Sequence, residues 1–568
     1  MLNNTNVTLL TVGGKYAEGV TVSTSSSSVG NKHKLNEIAV LVPRAEALAV
    51  TSGRVSALGT TADIRALAGK STRVIDAGER LVLPGFQDTH IHLQDSGTDR
   101  ALSANLEGLT TIPQFQTKLA EFAKANPDND WVNGVGWYSG IFGEHNLDRQ
   151  ALDAAVAGRP VFTYASDGHS ACLNTKACQV LGLTRETPDP ENGHFVKDAK
   201  GEPTGMLYEH AIAWARERMP ERTDADYATG VKFGQALCNT HGITGVLDAL
   251  VLERHMRVYQ ALDRAGELTI RVAATGLVNS EDTVAGALER LTHLRRDYAS
   301  PMVKMHSAKF FFDGVFENRT AAMLEPYSDA KGGNAPVMFG ENHFRELFIA
   351  MDAARFQIHV HVIGDKAARS ALDGIQAARE VNGEWPAWHQ LAHIQAIDPA
   401  DIPRFKALGA VANIQTLWAR HEPSVDDVAL PMMGPERGKW MYAFRSMIDA
   451  GAEYAVSSDW GVSTLNPFAI MQTAVTRLPE KLRSPDHPVF LPEQCMTVEE
   501  VVKGYTLNAA RTAWREADTG ALGVGKFADL IVLDRDIYAI RPRDLGGTQV
   551  LLTLLAGREV HRDKGFAG

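Results

Sequence analysis

Leu83-Pro84-Gly85-Phe86-Gln87-Asp88-Thr89-His90-Ile91-His92 ends an apolar run with two histidines separated by one residue. Alternate side chains of an extended strand leave the same face, so the imidazoles of His90 and His92 can reach one ion. In isolation the pair is a weak signal, because a solvated or core pair at a strand end has the same spelling. Its meaning depends on what the rest of the chain brings beside it.

Outward from this stretch, residues 81–500 alternate apolar strand-like runs with amphipathic helical segments, the pattern of a parallel α/β fold. Eight runs stand out: Leu81–Leu83 continuing into the histidine pair, Gly245–Leu247, Ile270–Ala274, Lys304–Phe312, Gln357–Val362, His389–His393, Val411–Gln415 and Tyr454–Ser458. Most gaps between them are about 25–55 residues, the size of a βα unit, and eight such units close a (β/α)8 TIM-like barrel. The gap from 95 to 240 is too long for one crossover and predicts an inserted subdomain, about residues 100–240, over the barrel mouth. Residues 1–80 read as short β segments, and 501–568 as a last barrel helix followed by more of them. Together they predict a small β-sandwich domain built from both termini. Ser23–Lys34 reads as a flexible loop.

Composition narrows the function classes. The chain has 568 residues, 44% apolar and 22% charged, with a net charge of −11 and no Lys/Arg run. A basic nucleic-acid footprint is therefore not expected. Cys172, Cys178, Cys238 and Cys495 match neither a Cys-x-x-Cys knuckle nor a disulfide framework, and read as reduced and structural. No apolar stretch approaches about 18 residues and no signal-type leader is evident, so no membrane association is expected and the cytoplasm is the expected compartment.

Lys309, His361, His393 and Asp459 fall at the C-terminal ends of the predicted strands, where barrel catalytic groups belong. Singly, each has an ordinary reading: a satisfied histidine, a solvated lysine, an aspartate capping a loop. Jointly, with His90 and His92, they would converge on one barrel axis.

At this point the sequence resembles the amidohydrolase superfamily, and within it the amidohydrolase family 3 branch that includes N-substituted formamide deformylases and exoenzyme-regulator-like proteins. The resemblance covers nearly the whole chain. It is carried by Pro84–His92, Ser166-Asp167-Gly168-His169, Lys309-Phe310-Phe311-Phe312-Asp313-Gly314 with Arg319-Thr320-Ala321, His361-Val362-Ile363-Gly364-Asp365, His393, Ser458-Asp459-Trp460 and Gly525–Leu530. It implies that His90, His92 and Asp459 hold one divalent ion and His361 and His393 a second, with carboxylated Lys309 as the bridge. Zinc suits this donor set; another divalent metal, or a mononuclear site if Lys309 stays uncarboxylated, remains open. His359 faces the same side as His361 and is a rival ligand. Family members are often dimers, so a homodimer is an open expectation.

The chemistry such a site supports is hydrolysis at a carbonyl by water made acidic by the cations, with Asp459 carrying the proton. His169 is a second catalytic candidate, donating to the substrate oxygen; a turn-stabilising role is its equal rival. Trp137, His169 and Arg319 are candidate substrate contacts, with Trp418 and Trp460 as further wall. Glu317 and Asn318 replace small residues common before the Arg-Thr pair and put bulk and charge where a substrate would lie. The expected substrate is a small molecule with a non-peptide C–N bond, an N-substituted formamide or N-acyl amine. Cyclic-amide hydrolysis or hydrolytic deamination on the same site, and a non-catalytic regulatory protein that kept the fold, are the alternatives.

Overall fold

A computed structural model of the chain describes residues 7–11, 17–18, 44–138, 146–166, 168–480, 482, 484 and 486–568. Ser23–Lys34 and Asp167 lie outside these residues. Eight parallel strands form one sheet in sequence order: β1 (Phe86–Ile91), β2 (Ile243–Val251), β3 (Arg271–Leu277), β4 (Val303–Phe311), β5 (Gln357–Val362), β6 (Gln390–His393), β7 (Val411–Ile414) and β8 (Glu453–Val456). The fold is the expected TIM-like barrel.

The seam between β8 and β1 is closed by specific bonds at the end that carries the histidines. The Asp459 amide donates to the His90 carbonyl at 2.9 Å and the His92 amide to the Trp460 carbonyl at 2.7 Å. Below them the Asp88 carboxylate accepts the Ser458 amide at 3.2 Å. Burial pushes the Asp88 carboxyl up to about 7.

One expectation needs correction. Leu81–Leu83 and the histidine pair do not form a single strand. Val82–Pro84 pairs antiparallel with Leu530–Val532 in a different sheet, and the barrel strand begins at Phe86. Gly85 is the crossing point: its amide donates to the Asp529 carbonyl, and a Cβ there would lie 2.3 Å from Thr244 Oγ1. Both sheets bury this run, so its hydrophobicity is continuous across the break.

The sheet containing Val82–Pro84 also holds Leu530–Leu533, Val550–Leu555 and Arg558–Arg562, joined by Ala17–Glu18 and Arg44–Ala45. A second sheet holds Val7–Thr11, Ala47–Thr51, Arg54–Gly59 and Arg73–Asp76. Leu48, Val50 and Ile75 from one sheet share a core cluster with Val82, Leu530 and Leu552 from the other.

Between the helices Leu93–Leu102 and Asp224–Thr240 the chain builds a six-stranded sheet running from Ala104 to Glu209, with its own apolar clusters. Its strands Val161–Ala165, Ser170–Leu173 and Pro203–Glu209 deliver Tyr164, His169 and Tyr208 to the barrel mouth. Cys172, Cys178 and Cys238 are buried free thiols. Among the described residues no helix is long and apolar enough to cross a membrane.

Candidate metal centre

The strand register explains which side chains meet. Lys309 on β4 is in register with His359 on β5, and Phe311 with His361; Val362 is in register with His393 on β6. His90 ends β1, His92 caps the next helix one residue beyond the strand, and Asp459 follows β8. All six sequence-derived candidates line one cavity of about 1430 Å³.

Asp459 is the hub. Its Oδ1 lies 3.6 Å from His90 Nε2 and 3.4 Å from His92 Nε2, and its Oδ2 lies 3.8 Å from His393 Nδ1. Oδ1 is buried and has no hydrogen-bond partner among the described residues. An orphaned carboxylate oxygen facing imidazole nitrogens is the donor set of a cation. Separations of 3.4–3.6 Å also match the edge of a tetrahedron, about 3.3 Å, whose metal–ligand bonds are about 2.0–2.1 Å. Among the described residues His90, His393 and Asp459 bring ligand atoms within 4.8 Å of one another, a set that crosses the two expected ligand groups. His393 and Asp459 both sit at positive φ, 76° and 53°. Such strained backbone concentrates at functional sites.

Three of the four candidate histidine ligands, His90, His361 and His393, are each held by a hydrogen-bond partner. His393 Nδ1 bonds Gln415 Oε1 at 2.9 Å, and Gln415 donates to Ser457 Oγ at 2.7 Å. His361 Nε2 donates to the Gly314 carbonyl at 3.2 Å, leaving Nδ1 as its lone-pair atom. His359 settles into a role of its own: its Nε2 lies 2.8 Å from His90 Nδ1. A metal on His90 Nε2 would require the tautomer in which His90 Nδ1–H donates to His359, and His359 would then orient that ring from behind. His359 is absent from the cavity wall, whereas His361 lines it. Burial, followed by neighbouring positive or titratable groups, holds His90, His359, His361 and His393 well below the ordinary imidazole range. Neutral rings are the form that binds a cation.

Lys309 is fully buried, with Nζ 3.4 Å from His90 Nε2 and 4.6 Å from the centre of the Phe311 ring. Burial lowers its amine from 10.5 to about 7. The neutral amine is the form that can react with carbon dioxide, so the residues present fit a bridging carbamate. Asp313, four residues on, accepts the amides of Ala322, Ile363 and Gly364 at 2.7–2.9 Å and ties the loop after β4 to the loop after β5.

The expected substrate contacts divide. His169 lines the cavity, its ring 5.3 Å from that of His361. Trp418 lines it too, stacked on His393 at 5.4 Å, as do Glu317 and Asn318. Trp137 and Arg319 do not. Trp137 is buried in the insertion's own core, and Arg319 is committed to Asp329 at 2.6 Å and to the Gly332 carbonyl. Trp460 is also buried, packed under Arg100. Sequence reasoning missed Glu209, whose Oε2 lies 2.6 Å from His169 Nδ1. Its only local signal is a carboxylate ending the strand Pro203–Glu209.

This barrel and site define a hydrolase architecture, and comparison with known proteins agrees. A model of the amidohydrolase family matches residues 73–561, and the chain belongs to that family. It is 28% identical to the putative amidohydrolase YtcJ of Bacillus subtilis over 91% of this chain and 96% of that protein. It is 26% identical to the N-substituted formamide deformylase of Arthrobacter pascens over 90% of this chain and 94% of that protein. The crystal structure of an uncharacterized metal-dependent hydrolase from Pyrococcus horikoshii superposes with a TM-score of 0.73, at 22% identity, covering 94% of this chain and 99% of that one. The last likeness is one of fold. The protein is an amidohydrolase-family hydrolase with a candidate His/His/Asp metal site.

Proposed function

We propose that the protein hydrolyses a non-peptide C–N bond of a small molecule, an N-substituted formamide or N-acyl amine. The observation that carries this reading is the orphaned Asp459 Oδ1 facing His90 and His92 at the floor of the cavity. The similarity to an N-substituted formamide deformylase supports the choice of substrate class. In this reading His90, His92 and Asp459 would hold one zinc ion, His361 and His393 would hold a second, and carboxylated Lys309 would be shared between them. Cations held there would supply Lewis-acid polarisation of the substrate carbonyl and make the attacking water more acidic.

The chain's own groups do the rest. Asp459, pinned at its amide to the His90 carbonyl, is placed to take the proton of the attacking water and return it to the leaving nitrogen. His169 donates to the carbonyl oxygen as negative charge develops there. Trp418, stacked on His393, forms an apolar wall for the N-substituent.

Two measurements test the proposal together. Protein purified without chelator should carry stoichiometric zinc, and chelation should lower its melting temperature, because a ligand bound only to the folded state stabilises it. The metal-loaded protein should release formate and amine from N-substituted formamides. Ammonia without a carboxylic acid would point instead to deamination, and protein free of tight divalent metal would overturn the binuclear reading.

A further inference from the structure

Glu209 is a buried carboxylate whose oxygens are divided between two tasks. Oε2 takes His169 Nδ1 at 2.6 Å. Oε1 accepts from Thr320 Oγ1 at 2.8 Å and from Asn318 Nδ2 at 3.3 Å. Asn318 Nδ2 also donates to the His169 backbone carbonyl at 3.1 Å, and the Glu209 amide donates to that same carbonyl at 3.1 Å. The histidine is therefore held at its ring and at its main chain by one cluster. That cluster joins the end of an insertion strand to the loop after β4, which follows Lys309.

The backbone is shaped for this placement. Glu209 has φ 53° and ψ −126°, a conformation costly for a side-chain-bearing residue and found chiefly where function requires it. Gly314 lies against the carboxylate so closely that a Cβ there would be 2.5 Å from Glu209 Oε1. Burial alone would raise the Glu209 carboxyl, but the facing His169 ring and the hydrogen bonds from Thr320 and Asn318 hold it below its ordinary value.

We propose that Glu209 is a positioning residue for the hydrolysis: through Oε2 it takes the Nδ1–H of His169, and so turns the Nε2 edge of that ring to the substrate carbonyl oxygen. A buried carboxylate behind an imidazole sets which nitrogen carries the proton and which edge meets the substrate. The inference rests on the proposed amide hydrolysis for its kinetic consequence, but not for the tautomer.

The test is a double-mutant cycle read on formate release from formanilide, with a substrate-free readout beside it. H169A and E209A should each lower kcat on the order of 10²-fold, the effect of losing one oxyanion donor, with a smaller change in KM. Because Glu209 acts through His169, the double variant should also lose on the order of 10²-fold rather than 10⁴-fold. E209Q keeps an acceptor for Nδ1–H and should lose less than E209A, with wild-type zinc content and melting temperature. In histidine-labelled free protein, the His169 ring-nitrogen shifts, assigned with H169A, should report a protonated Nδ1 in the wild type and a mixture of Nδ1–H and Nε2–H forms in E209A. Losses that multiply in the double variant, or an unchanged tautomer in E209A, would overturn the proposal. If the wild type releases no formate while the tautomer responds as expected, the substrate assignment fails and the positioning role of Glu209 stands.

Discussion

Asp459 meets three histidines, yet its Oδ1 has no hydrogen bond among the described residues. In D459N the amide keeps the size of the side chain but cannot take a proton from water. The variant should keep its fold and much of its metal while kcat falls by on the order of 10³-fold or more; near-normal turnover would remove Asp459 as proton carrier. Lys309, buried between His90 and Phe311, has a different fate. K309A should lose zinc and activity together and regain part of both in propionate, whose carboxylate can replace the carbamate; unaltered metal content and rate would rule the bridge out. His359 touches His90 from behind, so H359A should weaken zinc affinity roughly 10–100-fold, measured by competition with a chromogenic chelator.

At the scale of elements, the site depends on loops that approach one another without room for a side chain. Gly364 opens the helix Asp365–Asn382 just after β5, and a Cβ there would stand 1.9 Å from the Ala322 carbonyl oxygen. The obstruction is backbone, which cannot rotate aside. G364A should therefore lower stability by about 2–4 kcal/mol in urea unfolding, and lose zinc because the end of β5, which bears His361, is displaced. Gly85 faces a side chain instead, Thr244, at the point where the chain leaves one sheet for the barrel. The Pro-Gly spelling at 84–85 contains the information for this break, but hydrophobicity does not stop there, and a reading by apolar runs joined the two strands.

Across the whole molecule, Arg271 on β3 pairs with Asp529 at 2.7 and 3.1 Å, both side chains buried. Arg271 also lies 4.0 Å over the Phe527 ring, and Asp529 accepts the Ala556 amide at 2.7 Å. This pair fastens the C-terminal β segment to the barrel and gives the Gly525–Leu530 motif a physical role. R271M leaves the carboxylate buried without its cation, so it should cost about 3–5 kcal/mol, seen as a lower urea midpoint and faster proteolysis.

Seven of the barrel strands were legible as short apolar runs followed by helical periodicity, and the first as the polar continuation of such a run, because a parallel barrel orders such units along the chain. The six candidate ligands were legible because barrel chemistry collects at strand C-termini, so position along a strand stands in for position in space. That argument cannot reach residues whose importance lies in a contact. Glu209 and His169 are neighbours only because an antiparallel sheet folds them together. His359 supports His90 only because the barrel closes, and Arg319 faces Asp329 rather than the cavity only because of its loop. By itself the sequence determined the fold class and the candidate cation-binding residues, since both follow from local pattern and side-chain chemistry. Tertiary structure decided which nitrogen each histidine turns inward and which charges are neutralised before a substrate arrives, because those depend on partners distant in the chain.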